Sequence, residues 1–186
     1  SNYLHVSYER VVSGPGLHAI YDYVRDSKKN EPTWLSEQIK AGDPAAVIAA
    51  AGLKGQADIA KQALDLFASI YGAEAGNLAL KAMALNGVYL GGGIAPKLLA
   101  KLKDGTFMKA FTNKGRYKRV MTSIPVKVVM NDKTALHVDA ARGQLARDMG
   151  VVERGVRELR ALDPEQGAGL HVELAHVDMH RQGAGA

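Results

Sequence analysis

A run of glycines after a short apolar segment is the part of this sequence best suited to binding a ligand. Residues 87–96 read GVYLGGGIAP, where a strand-like VYL segment precedes three glycines and a helix that restarts from Ala95. Glycine has no Cβ, so the backbone of Gly91, Gly92 and Gly93 can adopt positive φ and lie against a flat or charged ligand. Since ligands of α/β proteins bind at the carboxyl ends of strands, the pattern predicts a nucleotide-type site. A tight strand-to-helix connection without a ligand would use the same glycines.

A second glycine motif, Gly14 to Ala19, fits the GxGxxA pattern of dinucleotide-binding proteins. Such a site also needs a second strand that ends in an acidic residue about 20 positions later. Residues 30–56 are rich in Pro, Gly and Ala and contain no such strand, so we interpret the motif as a turn that begins a helix. The phosphate-loop pattern GxxxxGK[ST], the zinc motif HExxH and the nucleophile motif GxSxG are absent from the sequence.

The composition predicts a globular protein of a reducing compartment. The chain has 186 residues, of which 47% are hydrophobic and 23% charged, and these values are typical of one folded domain with or without an appendage. The absence of cysteine excludes disulfides, thiol catalysis and cysteine zinc sites. No apolar run is long enough to span a membrane and no secretory signal pattern is present, so we expect a cytoplasmic protein.

The net charge of +5 raises the question of nucleic-acid binding. The lysines and arginines are scattered, and their one local concentration, Lys114 to Arg119, is a short segment that includes a glycine. We therefore interpret the positive charge as a solvated surface and expect no nucleic-acid partner.

A long helix is the strongest structural prediction. Apolar residues recur at helical spacing between Ala57 and Ala84, which indicates one long helix, or two abutting ones, with a buried stripe. Gly72 and Gly76 interrupt this stripe, and each lowers helix stability by about 1 kcal/mol relative to alanine. A close crossing with another helix is the usual compensation, so we expect one here.

The other predicted elements alternate between helices and short buried strands. All aromatic residues lie at or before Tyr117, which places the main core in residues 1 to about 140. This alternation predicts an α/β layered domain. The elements are an extended piece over Val6–Val12, helices over Leu17–Ser27, Ala45–Ala51 behind the Asp43-Pro44 cap, Ala95–Leu102, Phe107–Phe111 and Ala135–Met149, and a buried strand over Val126–Met130.

Five ordered segments resemble the bacterial glucokinase family. His5 to Leu17 reads HVSYERVVSGPGL and is similar to the HVSxERVxSGPGL segment of these kinases. The likeness recurs at Tyr71–Leu80, at Gly87–Pro96, at Ala110-Phe111 with Lys114-Gly115-Arg116, and at Ile124-Pro125-Val126. The resemblance implies a helix-rich α/β domain, namely the actin-like (ribonuclease H-like) ATPase fold of a sugar-kinase large domain, here incomplete.

The resemblance also implies an activity, its ligands and their binding residues. It implies ATP-dependent phosphorylation of glucose at the 6-hydroxyl, with ATP and Mg as cofactors, by a protein that is commonly a homodimer. Glu9 matches the glutamate that accepts hydrogen bonds from sugar hydroxyls near the anomeric carbon, as an ionised carboxylate can. Gly91, Gly92 and Gly93 match the glycine turn on the adenosine side of the ATP site.

Four further residues lie in the matched segments without an assigned role. Glu74 and Asn77 lie on the long helix, where facing the nucleotide, capping or exposure to solvent are equally compatible with the pattern. For Lys114 and Arg116 we favour a surface loop over contact with phosphate.

Several motifs of the family have no counterpart in these 186 residues. They are the DxGGTN phosphate motif, the catalytic aspartate that accepts the sugar proton, and the EGGH segment that contacts the sugar. The chain therefore resembles the carboxyl-terminal part of the large domain, and the catalytic residue is expected in the missing amino-terminal part. Because phosphoryl transfer depends on positioning and charge stabilisation, we predict that the chain alone is inactive.

The carboxyl-terminal region departs from the family pattern. Residues 135–141 read ALHVDAA where the family has ALxGAA, without the glycine that would let the last helix approach the nucleotide turn. We predict a glucokinase-like domain over residues 1–141 and an atypical helical extension with a tail over residues 142–186. Arg142 to Leu162 is interpreted as an amphipathic helix. The histidines at 171, 176 and 180 are interpreted as part of the tail, so no metal site is predicted.

A second function remains compatible with the same residues. The chain could be a non-catalytic sugar-sensing or oligomerisation module of a regulator derived from sugar kinases. Glu9 and the glycine turn suit both functions. A kinase requires the phosphate motif and the catalytic aspartate, whereas a regulator requires a DNA-binding segment.

Overall fold

A computed structural model of the chain describes residues 7–28, 30–130 and 156–159. Helices dominate this part of the chain, and three short strands form one sheet. In chain order the elements are a 3₁₀ turn at Tyr8–Arg10, α1 (Gly14–Lys28), α2 (Thr33–Ala41), α3 (Pro44–Leu53), α4 (Asp58–Lys81), β1 (Val88–Leu90), α5 (Ile94–Lys97), α6 (Leu99–Lys103), α7 (Thr106–Thr112), a second 3₁₀ turn at Gly115–Tyr117, α8 (Lys118–Ser123), β2 (Val126–Val129) and β3 (Val156–Leu159).

The long helix α4 is the centre of the core, and it packs against α1, α3 and α7. Its buried face consists mainly of small residues and includes Gly72 and Gly76. A Cβ added to Gly72 would lie 2.2 Å from the carbonyl oxygen of Phe107 on α7, and one added to Gly76 would lie 2.6 Å from that of Phe111. The predicted close helix crossing is therefore confirmed as a backbone contact between α4 and α7.

α3 begins where the sequence predicts, at Pro44 behind Asp43, whereas α1 begins at Gly14, three residues before the predicted Leu17. The Asp43 carboxylate accepts a hydrogen bond of 3.0 Å from the Ala45 N–H, and Pro44 is the first residue of α3. At α1, the Ser13 hydroxyl oxygen accepts a 3.0 Å hydrogen bond from the Gly16 N–H. The GxGxxA lookalike is thus a helix-initiating turn, as we interpreted it.

The sheet has the strand order β1-β2-β3. β1 and β2 are parallel, with Val88 level with Val126, whereas β3 runs antiparallel to β2. Val126, Val128 and Val129 are buried, which confirms the predicted interior strand. Because Leu90 at the end of β1 is also buried, the polypeptide enters the glycine turn from a packed position.

Three sequence predictions differ from the structure. Residues 8–10 form a 3₁₀ turn and not an extended piece, because the Val11 and Val12 N–H groups both bond to the Tyr8 carbonyl. The helix predicted over 95–102 is divided at Leu98 into α5 and α6. The amphipathic helix predicted up to Leu162 is wrong over residues 156–159, which form β3.

Two helices were missed because each buries very little. α2 has nine residues with one apolar pair at helical spacing, Leu35 and Ile39, and α8 has six residues and buries Met121, so neither has a long repeat of apolar residues. The helix predicted over Ala135–Met149 lies outside the described residues, as does the rest of the predicted 142–186 extension, so the division at residue 141 stays a prediction. Within the described ranges, no helix is long and apolar enough to cross a membrane.

Candidate functional site

Glu9 lies in the 3₁₀ turn that precedes α1, and its side chain is exposed. Backbone hydrogen bonds hold this turn, including one of 2.7 Å from the Val12 N–H to the Tyr8 carbonyl oxygen. The turn also rests on the first turn of α1, where a Cβ at Gly16 would lie 2.6 Å from the carbonyl carbon of Val11. The structure thus presents an accessible carboxylate on a well-supported piece of backbone, an arrangement that can accept hydrogen bonds from neighbouring hydroxyls.

The glycine turn is open on all three residues. Gly91, Gly92 and Gly93 are exposed, and a Cβ added to any of them would have no heavy atom of the described residues within 4 Å. Of the three, Gly92 has positive φ, at +89°, so it alone requires glycine for its own backbone conformation. Space for a side chain is therefore present at Gly91 and Gly93, and their exposed backbone could lie against a ligand.

Both ends of this turn are anchored in the core. Leu90 is buried in front of it, and Ala95 in α5 and Leu98 just after α5 are buried behind it. Since the three glycines carry no side chains, their position depends on the flanking strand and helices. The turn is a fixed but uncovered backbone surface at the carboxyl end of β1, where α/β proteins bind ligands.

Lys114 connects the segment after α7 to the long helix α4. Its ammonium group donates hydrogen bonds of 2.7 Å to the Ala73 carbonyl oxygen and 2.7 Å to Asn77 Oδ1, and Asn77 in turn donates to Glu74 at 3.0 Å. Burial lowers the pKa of Lys114, and the nearby Glu74 charge opposes this effect. Lys114 thus lies in the loop after α7, as predicted, but its side chain is half-buried and bonded to α4, whereas Arg116 is exposed.

A charged cluster, in which a buried lysine pairs with two partly exposed carboxylates, was missed in the sequence. Lys101 is only 8% exposed and forms ion pairs with Asp65 of α4 and with Asp104. Asp104 also accepts a 2.8 Å hydrogen bond from the Thr106 N–H. The available signal was Asp65, an acidic residue one position after the buried Leu64 in the apolar stripe of the long helix.

Burial and hydrogen bonding act in opposite directions on the pKa values of this cluster. Burial alone would lower the pKa of Lys101, but hydrogen bonds to Asp104 and Asp65 outweigh it and raise the pKa. Burial alone would raise the pKa of Asp104, but hydrogen bonds from Lys101 and Thr106 outweigh it and lower the pKa. Both groups are therefore charged at neutral pH and hold α6, which follows the glycine turn, against α4.

The described residues contain no group of three or more His, Cys, Asp or Glu side chains that could hold a metal ion. The three histidines of the predicted tail lie outside the described residues. The candidate ligand-binding groups of the described part of the chain are therefore the exposed backbone of the glycine turn and the exposed Glu9 carboxylate.

Comparisons with known proteins give a consistent result. The family model described as Glucokinase matches residues 1–144. The chain is 44% identical to a glucokinase of Synechocystis sp. over 70% of this chain and 40% of that protein, and 39% identical to a glucokinase of Neisseria gonorrhoeae over 71% of this chain and 38% of that protein. The crystal structure of a glucokinase from an Antarctic psychrotroph superposes with a TM-score of 0.61 at 31% identity, covering 74% of this chain and 40% of that one.

These matches agree with the helix-rich α/β architecture and identify it as part of the actin-like kinase fold. The chain spans about 40% of the length of the curated relatives that it matches first. Because the family model covers well over half of the chain, and five ordered motifs lie within the matched range, this chain belongs to the glucokinase family.

Proposed function

We propose that this chain contributes part of the glucose site and the adenosine side of the ATP site to a glucokinase. The reaction transfers the terminal phosphoryl group of ATP to the 6-hydroxyl of glucose and yields glucose 6-phosphate and ADP. The observation that carries the proposal is the family match over residues 1–144, which contains both Glu9 and the open glycine turn.

Glu9 and the glycine turn have different roles in this proposal. The exposed Glu9 carboxylate accepts hydrogen bonds from two sugar hydroxyls and thereby orients glucose without taking part in proton transfer. The backbone of Gly91, Gly92 and Gly93 lies against the adenosine part of ATP. Mg²⁺ would neutralise charge on the ATP phosphates, and no described residue is assigned to it.

The catalytic base and the phosphate-binding motif lie outside this chain in the proposal. Phosphoryl transfer requires these groups to be held in line with the substrate. We therefore propose that the chain alone has no measurable glucose-dependent turnover of ATP. We also propose that the complete protein acts in the cytoplasm, with which the absence of cysteine from these 186 residues agrees, and that it forms a homodimer, as the resemblance to the family implies.

A chimera with a relative tests the proposal. Residues 1–144 of this chain would replace the aligned part of the Synechocystis glucokinase, which supplies the remainder of the enzyme. We expect the chimera to phosphorylate glucose in a coupled spectrophotometric assay, whereas the unmodified chain shows no turnover. Robust turnover by the unmodified chain would contradict its assignment as a partial site.

A matched pair of variants in the chimera tests the role of Glu9. Glu9→Gln removes the charge, and we expect the kcat/KM for glucose to fall about 10- to 100-fold while the KM for ATP stays unchanged. Glu37→Gln, at an exposed glutamate of α2, serves as the control and should have no effect. Equal kinetics for the two variants would contradict the role of Glu9. A chimera that binds glucose in calorimetry without any turnover would favour the sugar-sensing alternative.

A further inference from the structure

β3 is a strand from outside the part of the chain that resembles glucokinases. The family match ends at residue 144, whereas β3 comprises Val156–Leu159. It pairs antiparallel with β2 along the whole length of both strands. The sheet therefore combines two strands from the glucokinase-like region with one from the region beyond it.

The edge of β2 that β3 covers would be prone to pairing if it were open. β2 contains three buried valines and a single charged residue, Lys127, and Pro125 precedes the strand. β1 pairs with its other edge. An uncovered edge presents unpaired N–H and C=O groups and is a template for another strand, and Lys127 and Pro125 are features of β2 that oppose such pairing.

The register of β2 and β3 suits their residue types. Lys127 is level with Glu158, so oppositely charged residues occupy directly opposed positions. Val126 is level with Leu159 and Val129 with Val156. A shift by one residue would set Lys127 opposite Arg157 or Leu159 and lose the charge pairing, so the observed register is the favoured one.

We propose that the outer edge of β2 is a strand-accepting surface and that residues 156–159 of the same chain are its occupant. The region beyond residue 144 then acts as an edge cap of the sheet. It keeps a glucokinase-like sheet from pairing with a second copy of this chain. The proposal does not depend on the activity proposed above.

Amide hydrogen exchange measured by NMR tests the cap directly. Alternate amides of residues 126–129 point to β1 and to β3, so each strand protects a separate set. A chain that ends after residue 155 lacks β3, and one that ends after residue 165 keeps it and serves as the control. We expect the β3-facing amides to exchange about tenfold faster in the chain that ends after residue 155 than in the control chain. The β1-facing amides should exchange at the same rate in both chains.

A substitution in the full chain separates the loss of pairing from the loss of the tail. Arg157→Pro with Glu158→Pro removes two successive N–H groups, one of which must face β2, whereas Arg157→Ala with Glu158→Ala keeps both. We expect faster exchange in the proline variant and unchanged exchange in the alanine variant. Amides of α4 and α7 report whether the core of each variant stays folded.

Light scattering gives the second readout. We expect the chain ending after residue 155 to increase in mass with concentration, relative to the chain ending after residue 165. The edge-cap proposal would be wrong if the β3-facing amides stayed protected in a monomer without β3. It would also be wrong if they stayed protected in the proline variant. A decrease in mass on removal of β3 would show that the strand pairs between copies and would overturn the same-chain assignment.

Discussion

Glycines serve opposite purposes in two regions of this molecule. On α4, Gly72 and Gly76 lie under the backbone of α7, and an added Cβ would meet carbonyl oxygens at 2.2 and 2.6 Å. In the turn after β1, an added Cβ on Gly91, Gly92 or Gly93 would meet no heavy atom of the described residues within 4 Å. Gly72 and Gly76 must be glycine because the backbone of α7 packs against them. Gly91, Gly92 and Gly93 instead leave space beside the backbone that a ligand could occupy.

The comparison separates stability from ligand binding. Aromatic packing joins α4 to α7, with the Tyr71 and Phe107 rings 5.4 Å apart, and within α7 the Phe107 and Phe111 rings are 6.2 Å apart. In the part of the chain that the structure describes, the glycine turn has no such contacts and is held through its ends. Changes on α4 should therefore act on folding, and changes in the turn should act on nucleotide affinity.

The largest expected effect is that of Gly72→Ala. The new methyl group would overlap the Phe107 backbone, so α4 and α7 must separate, and the gain in helix propensity of about 1 kcal/mol offsets only part of the loss. We expect the free energy of unfolding to fall by about 2–4 kcal/mol in urea denaturation followed by circular dichroism. Ser69→Ala on the same helix is the control, and a loss below about 1 kcal/mol for Gly72→Ala would break the distinction between the two regions.

Lys101→Met tests what anchors the helices that follow the glycine turn. Lys101 joins α6 to α4 through its ion pairs with Asp65 and Asp104. The substitution leaves the carboxylates of Asp65 and Asp104 without their cation, but both are partly exposed, at 44% and 40%, and solvent reduces the effect. We expect a loss of about 1–2 kcal/mol, with partial recovery in Lys101→Arg. A Lys101→Met variant as stable as the wild type would show that hydrophobic packing alone anchors α6.

The same cluster predicts a dependence of stability on pH. The pKa of Asp104 is below its ordinary value of 3.8, so its contribution is present above that value and is lost as the pH falls through the folded-state pKa. The stability difference between wild type and Asp104→Asn, on the order of 1 kcal/mol, should thus be constant from about pH 5 to 9 and shrink below about pH 4. Thermal denaturation across this range measures it, and a difference that grows in acid would contradict the sign.

The smallest expected effect on stability is that of Gly91→Ala. The site has space for a methyl group and no positive φ, so we expect a change within about 0.5 kcal/mol. Gly92→Ala, at φ +89°, should lower stability by about 1 kcal/mol through backbone strain.

In the chimera proposed above, Gly91→Ala should raise the KM for ATP and leave the KM for glucose unchanged. If Gly91→Ala lowered stability and left the KM for ATP unchanged, the turn would contribute to folding and not to nucleotide binding.

The described elements show which predictions a sequence pattern supports. The long helix and the buried strand over Val126–Met130 are predicted from apolar residues within one segment, and the close crossing is predicted from Gly72 and Gly76 inside that helix. The turn at Tyr8–Arg10 was predicted as extended because valines and a tyrosine favour strands. Its conformation instead follows from packing on Gly16, a contact that spacing within the segment does not encode.

The candidate site also contains residues that motifs predict and contacts that they do not. Glu9 and the three glycines were named from motifs, and the structure places all four at the surface. The hydrogen bonds of Lys114 to α4 and the ion pair of Lys101 with Asp65 join residues 41 and 36 positions apart, and no local pattern predicts such partners.

Local pattern was sufficient for the start of α3, the amphipathic stripe, the glycine turn and the family, because these depend on residue types at short, regular separations. Tertiary structure decided which glycines are packed and which are open, where the buried lysine finds its carboxylates, and that residues 156–159 pair with β2. The physical reason is that these features arise from distances between segments far apart in the chain, which only the folded arrangement of the helices and strands sets.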